Sequence, residues 1–219
     1  MRADPKASVS AQAIQVDGVS KRYGARWALV RTSLQINAGE SVMLTGHNGS
    51  GKTTLLRLMA GLTAPSVGAL RVFDRDVVRE RQAARTAVAL LSHQSGHYDD
   101  LSAAENLRLH AALLGRDTQA IDELLARVRL RERADTPVRQ FSAGMKKRLS
   151  LARVMLKRPK IVLLDEPFGE LDPEGMADVE TWIAEERKAG TTIVLATHWI
   201  DQGRRLSDRE VRLTNGRLV

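Results

Sequence analysis

No cysteine occurs among the 219 residues, which excludes disulfide staples and thiolate metal sites and fits a reducing compartment. Long apolar runs are missing too. No uninterrupted stretch approaches the ~18 residues that cross a bilayer, so the chain is expected to be soluble by itself. The first dozen residues, MRADPKASVSAQ, hold no apolar core of the kind a secretory signal carries, and residues 1–12 read as a short flexible tail. Aromatic residues make up 4% of the chain, too few for the stacking platforms that grip single-stranded nucleic acid. A long basic tract is also absent. The net charge is nonetheless +8, with a pI near 10.3, a balance that admits nucleic acid, anionic lipid or a highly charged nucleotide as partner. The arginines are interleaved with apolar and acidic neighbours, as in RTAVALLSHQ and RLRERAD. A solvated basic surface accounts for them first, and no direct nucleic-acid partner is expected.

The hydrophobic fraction of 43% supports one substantial core, so residues 13–219 are expected to form a single domain. Residues 14–45 alternate apolar and polar in short pieces such as AIQVDGV and TSLQINAGE, the pattern of antiparallel strands with one solvated face. SVMLTG, TAVALLSH, KIVLLDE and TTIVLATH are instead short continuous apolar runs. Strands buried on both faces of a parallel sheet look like this. Between them, Ile121, Leu124, Leu125 and Val128 share one helical face, and Met145, Leu149, Ala152 and Leu156 recur at steps of four, three and four. An α/β architecture follows, with a helical lobe inserted over about residues 94–156. The closing DREVRLTNGRLV has an Asn215-Gly216 turn and reads as a hairpin.

GHNGSGKTT, residues 46–54, interrupts this pattern between a predicted strand and a predicted helix. It fits G-x-x-x-x-G-K-[ST] at Gly46, Gly51, Lys52 and Thr53, with His47, Asn48, Gly49, Ser50 and Thr54 completing the loop. Glycines let successive backbone N–H groups turn inward around phosphate oxygens. The following helix offers its positive end, Lys52 a point charge, and the Thr53 hydroxyl a ligand for Mg²⁺. IVLLDEP, residues 161–167, is its acidic counterpart: Asp165 at the end of a buried strand for the Mg²⁺, and Glu166 to orient and deprotonate a water. By itself a strand ending in two acids is an ordinary solvated turn, but beside a phosphate loop it is the partner that loop needs. FSAGMKKRLSLARVM, residues 141–155, sets Ser142 and Gly144 at the start of an amphipathic helix, with a hydroxyl and free N–H groups directed outward at an anion. In isolation it would be a serine N-cap. As a second anion site on a chain that already has one, it implies that this surface completes the site of another subunit.

These motifs, in this order, resemble the nucleotide-binding subunit of ABC transporters, and the likeness runs from Tyr23 to the end. The resemblance implies a P-loop NTPase fold of the ABC ATPase type: a parallel core sheet, an N-terminal antiparallel β subdomain and an inserted helical subdomain. It implies ATP and Mg²⁺ as cofactors. Tyr23 in KRYG matches the aromatic that stacks on adenine, and Gln94 in LLSHQSG the loop glutamine that senses Mg²⁺ and the transmembrane partner. Ser142, Ala143, Gly144 and Met145 match the signature, Glu170 to Asp172 the dimer-contact loop with Asp172 near nucleotide, and His198 in LATHW the switch histidine on the γ-phosphate. Thr53, Gln94 and Asp165 would then hold the metal, and Glu166, His198 and Gln94 carry the chemistry. Two copies would sandwich two MgATP head-to-tail and drive integral membrane permease subunits from the cytoplasmic face of the inner membrane, as a peripheral protein. Ala143 and Met145 depart from the usual glycine and glutamine, and His47 replaces the usual proline. His93 and His97 have a spacing that could bind a metal, but with no third ligand nearby the loop glutamine explains the stretch better.

Residues 92–115, SHQSGHYDDLSAAENLRLHAALLG, are similar to the corresponding region of haem exporter ATP-binding proteins of cytochrome c biogenesis. The short body after the His198 strand agrees, so haem export with ATP-driven release of haem from its carrier is the expected role. The ATPase of a drug or lipid exporter is the alternative. A soluble ABC ATPase acting on ribosomes or DNA would carry two cassettes or long insertions, and a non-catalytic regulator would lack the carboxylate found at Glu166.

Overall fold

A computed structural model describes residues 11–92 and 96–219. Its first sheet begins with β1 (Gln12–Tyr23) and β2 (Arg26–Asn37), which turn at Gly24 and pair antiparallel with Tyr23 opposite Arg26. The sheet is extended by β4 (Val67–Val72) and β5 (Arg75–Asp76) in the order β2-β1-β4-β5. Between these come β3 (Ser41–Thr45) and α1 (Lys52–Met59), the strand and helix that flank the glycine-rich loop. The second sheet is built from β3 with β6 (Val88–Leu91), β7 (Ile161–Asp165), β8 (Thr192–Ala196), β9 (Arg209–Thr214) and β10 (Arg217–Leu218). Its order is β10-β9-β3-β8-β7-β6, parallel from β9 to β6.

Every residue of β3, β7 and β8 is buried, which is why these segments read as unbroken apolar runs. Successive side chains point to opposite faces of a strand, and each face has its own core. Val162, Leu164, Ile193 and Leu195 pack with the helices on one side, whereas Ile161, Leu163, Val194 and Ala196 pack with α1 and the first sheet on the other. The apolar run TAVALLSH is split: Thr86 and Ala87 form the end of α2 (Arg81–Ala87), with the Thr86 hydroxyl donating to the Gln82 carbonyl at 3.0 Å. Strand pairing begins only at Val88 opposite Ile161.

The helical lobe comprises α3 (Ala103–Leu114), α4 (Ile121–Arg127) and α5 (Ala143–Lys157). A Ser102–Glu105 capping box starts α3 and Gly115 in the left-handed region ends it. Helix α6 (Pro173–Lys188) opens with Asp172 as N-cap and proline at its first position. Arg129, just beyond α4, donates to Asp178 at 2.6 Å and pairs with Glu174, fastening the lobe to α6. Helix α7 (Ile200–Arg205) follows β8.

Asn215 and Gly216 both have positive φ, 50° and 77°, as a type I′ hairpin requires. This turn is also a structural bolt. The Gly216 N–H donates to the Ser50 carbonyl at 3.0 Å, and the Gly216 carbonyl accepts from Val30 N–H at 2.8 Å, so the hairpin ties β2 to the glycine-rich loop. A Cβ on residue 216 would stand 2.8 Å from the Ala28 carbonyl. Gly216→Ala is therefore expected to destabilise the fold by about 1–3 kcal/mol, read as a lower urea midpoint. An unchanged midpoint would mean the turn relaxes without strain.

Candidate functional site

Buried β3 delivers the chain into the loop at Gly46. The loop can take its shape only with glycine at two positions: a Cβ on Gly46 would lie 2.2 Å from the Leu213 carbonyl, and one on Gly51 2.7 Å from the Ala28 carbonyl. Both also have positive φ, 142° and 112°. Gly51 caps α1 with no side-chain hydrogen bond, and the first turn holds no acid, so the positive end of the helix is left for an anion. The Lys52 ammonium lies over the loop, donating to the carbonyls of Gly46 at 2.7 Å and His47 at 3.2 Å. His47 is exposed, with Nδ1 2.8 Å from the Asn48 carbonyl. The Ser50 hydroxyl is buried behind the loop and has no hydrogen-bond partner among the described residues.

A cleft of about 450 Å³ opens in front of this loop. Tyr23, Arg26 and Ala28 line it from the β1–β2 hairpin, Asn48, Gly49 and residues 51–54 form its floor, and Asp165 and Glu166 close it from the end of β7. Tyr23 is 48% exposed, with the Lys21 ammonium 5.1 Å from the ring centroid. Sequence reasoning missed Arg26. It is brought in by the turn that sets it opposite Tyr23, a pairing legible only once the hairpin register is known.

Asp165, at the end of β7, is 6% exposed. Burial pushes its pKa up, against the pull of Thr53, Lys147 and Lys52. Glu166 follows with φ +50°, its N–H bonded to the Ala196 carbonyl at 2.8 Å. Its carboxylate accepts from the His198 backbone N–H at 3.2 Å and lies 2.8 Å from His198 Nδ1. Adjacent parallel strands thus bring together a carboxylate and a histidine separated by 32 residues. The Thr53 hydroxyl and Asp165 carboxylate are hard oxygen ligands of the kind that suits Mg²⁺ bound along with phosphates.

The signature residues lie elsewhere. Ser142 to Met145 do not line the cleft. The Ser142 hydroxyl accepts from Met145 N–H at 3.2 Å and so caps its own helix, while the residue stays exposed. A cap of this kind is worth about 1 kcal/mol to the helix it starts, which is why it forms. Gly144 packs on the Glu170 carbonyl, where a Cβ would stand at 2.8 Å. Asp172 accepts from Gly175 N–H at 3.2 Å and from Arg148, so it sits with α5 and α6 and not in the cleft. Gln94 and His93 lie outside the described residues. His97 Nε2 is 3.0 Å from both the Lys146 carbonyl and the Ser150 hydroxyl, and burial pushes its pKa down to about 4. Among the described residues no cluster of three His, Cys, Asp or Glu stands ready for a metal. Sequence reasoning also missed Lys147, a lysine on an amphipathic helix that is 6% exposed.

A family profile described as ABC transporter matches residues 29–169, a span that includes the loop, the signature and both acids. Similar curated proteins include a daunorubicin resistance ATP-binding protein, DrrA3, of Streptomyces coeruleorubidus, 37% identical over 94% of this chain and 67% of its own length. A Nod factor export ATP-binding protein I of Rhizobium johnstonii is 35% identical over 98% of this chain and 70% of its own length. A third, from Ralstonia nicotianae, is 32% identical over 94% of this chain, and the chain spans 65% of it. Among solved structures, an ATP-binding subunit of an ABC transporter superimposes with TM-score 0.86 at 30% identity, over 94% of this chain and 88% of the other. A dimeric ATP-binding cassette bound to ADP and Pi shares the fold, with TM-score 0.86 at 24% identity over 94% and 96% of the two chains.

The buried charge of Asp165 carries a testable cost. A carboxyl whose folded pKa is raised penalises folding above that pKa, and the penalty fades as pH falls toward the unfolded value. Asp165→Asn removes the charge at nearly constant volume, so the thermal midpoint should rise at pH 7 and the gain should shrink at pH 4. A lower midpoint at pH 7 would make ionised Asp165 a net stabiliser.

Proposed function

The chain belongs to the ABC transporter family and is an ATP-hydrolysing, ATP-binding subunit within it, and on that premise we propose that it powers export through a separate permease, in the drug- or lipid-exporter class. The observation that carries the chemistry is the Glu166 carboxylate held by His198 at the edge of the phosphate-loop cleft. In this reading the loop N–H groups and Lys52 hold the phosphates, and Tyr23 offers its face to adenine. Thr53 and Asp165 would hold the Mg²⁺, with Gln94 as a further ligand, and that ion supplies charge neutralisation at the phosphates. Glu166 orients and deprotonates the attacking water, and His198 fixes the direction of that carboxylate while facing the transferred phosphate.

Neither Ser142 nor Gly144 lines the cleft, which supports a head-to-tail pair in which the signature of a second copy closes the nucleotide site. Asp172 would lie at the same junction. No helix among the described residues is long and apolar enough to cross a membrane. The family relationship supports integral permease subunits as partners and a peripheral position at the cytoplasmic face of the membrane.

The sequence of residues 92–115 favoured haem export. The relatives weigh the other way, since they are named for daunorubicin resistance and Nod factor export, and the exporter reading takes precedence for that reason. Replacing the chromosomal copy by Glu166→Gln in the source cell separates the two. Greater retention of daunorubicin, used as a fluorescent probe, with normal haem-stained c-type cytochromes is the expected result. Loss of the stained bands with unchanged retention would restore the haem assignment.

The purified chain should turn over ATP, and Glu166→Gln should slow it about 10²-fold or more with ATP binding kept, because a positioned base contributes about 10²–10⁴-fold. Unchanged turnover would remove Glu166 from that role. Lys52→Ala should weaken binding of ATP itself, measured by calorimetry, and full affinity would count against the phosphate-loop assignment.

A further inference from the structure

Lysine on an amphipathic helix ordinarily carries its ammonium out to water along its flexible stem. Lys147 does the opposite: its side chain runs inward from α5, and its Nζ donates to the Glu166 carbonyl at 2.7 Å. Burial pulls its pKa down, and Glu170, Asp165 and Glu166 push it back up. A buried ammonium is tolerated only with such partners.

The carbonyl it reaches belongs to the residue at which the chain leaves β7 with φ +50°. A non-glycine residue in that conformation persists only where its surroundings over-determine it. Here the Glu166 N–H is held by the Ala196 carbonyl of β8, the carbonyl by Lys147 of α5, and the carboxylate by His198. Two neighbouring contacts run alongside. Gly144 packs on the Glu170 carbonyl, and Arg148 donates to Asp172 at 2.5 Å. Positions 144, 147 and 148 share one helical face, so the first turns of α5 are laid along the loop from Glu166 to Asp172.

We propose that Lys147 is a positioning residue that sets the backbone at Glu166, and through it the direction of the Glu166 carboxylate, so that the signature end of α5 and the water-activating group move as one body. The inference rests on the reading of Glu166 as the base. It adds a route by which closure on a second subunit at the start of α5 reaches the carboxylate within the same chain.

The test compares wild type with Lys147→Met, which keeps most of the apolar stem and removes the donor, and with Lys147→Arg, which keeps a donor. Two readouts are taken: hydrogen–deuterium exchange of the peptide covering residues 166–172 without nucleotide, and steady-state kcat and KM for MgATP. In Lys147→Met the peptide should exchange faster, and kcat should fall about 10- to 100-fold with KM nearly unchanged, since the lost interaction acts on the chemical step. The thermal midpoint is read alongside, since removing one partner of a buried polar contact can lower stability without moving KM, and Lys147→Arg should recover part of kcat. Unchanged exchange, or unchanged kcat, overturns the proposal. So does a loss of kcat that comes only with a lowered midpoint and a raised KM, which is the mark of a merely structural lysine. If the wild-type chain hydrolyses no ATP, the functional reading falls by itself, and the exchange result still decides whether Lys147 holds Glu166.

Discussion

The parallel pairing of β3, β8 and β7 is the constraint on which the site depends. With Leu44 beside Ala196 and Ala196 beside Asp165, three strands end at the same level. The chain leaving each one supplies a different part: the glycine-rich loop from β3, His198 from β8 and Glu166 from β7. Ligands of open α/β sheets bind outside the carboxyl ends of the strands. Here that end is where two acids, one histidine and the glycine-rich loop converge. Burial of both faces of these strands keeps the register from slipping, because a one-residue shift would exchange the two cores.

Around that edge the protein accepts several local costs. Glycines 46 and 51 hold left-handed backbone against carbonyls with no room for a side chain. Burial raises the pKa of Asp165, Lys147 is drawn inward to a backbone carbonyl, and Glu166 adopts a conformation that L-residues avoid. Such departures from local preference gather at functional sites and are carried by the rest of the fold. In this chain the support comes from two apolar cores on opposite faces of one sheet.

Much of this was legible in the residues. Strands buried on both faces announce themselves as apolar runs, and Asn215-Gly216 demands a type I′ turn whatever surrounds it. The motif order pointed to the family before any coordinate. Less legible were features set by contacts between distant segments. The boundary at Thr86 and Val88 depends on where β7 begins to offer hydrogen bonds, and that the Ser142 hydroxyl caps α5 shows only once the helix is in place. Lys147 sits in a run, MKKR, whose composition suggests a solvated face. The choice between haem and other cargo rested on a short stretch next to Gln94, and relatives over nearly the full chain outweighed it.

By itself, the sequence determined the fold class, the glycine-rich loop between strand and helix and the two acids at the end of a buried strand, because these follow from side-chain periodicity and from backbone freedom that only glycine provides. Tertiary structure alone decided that Glu166 meets His198, that the hairpin at Gly216 bolts the loop to β2, and that Lys147 reaches the carbonyl of Glu166. Each of these joins residues far apart in the chain, and nothing but the packing of strand against strand and helix against loop brings them within hydrogen-bonding distance.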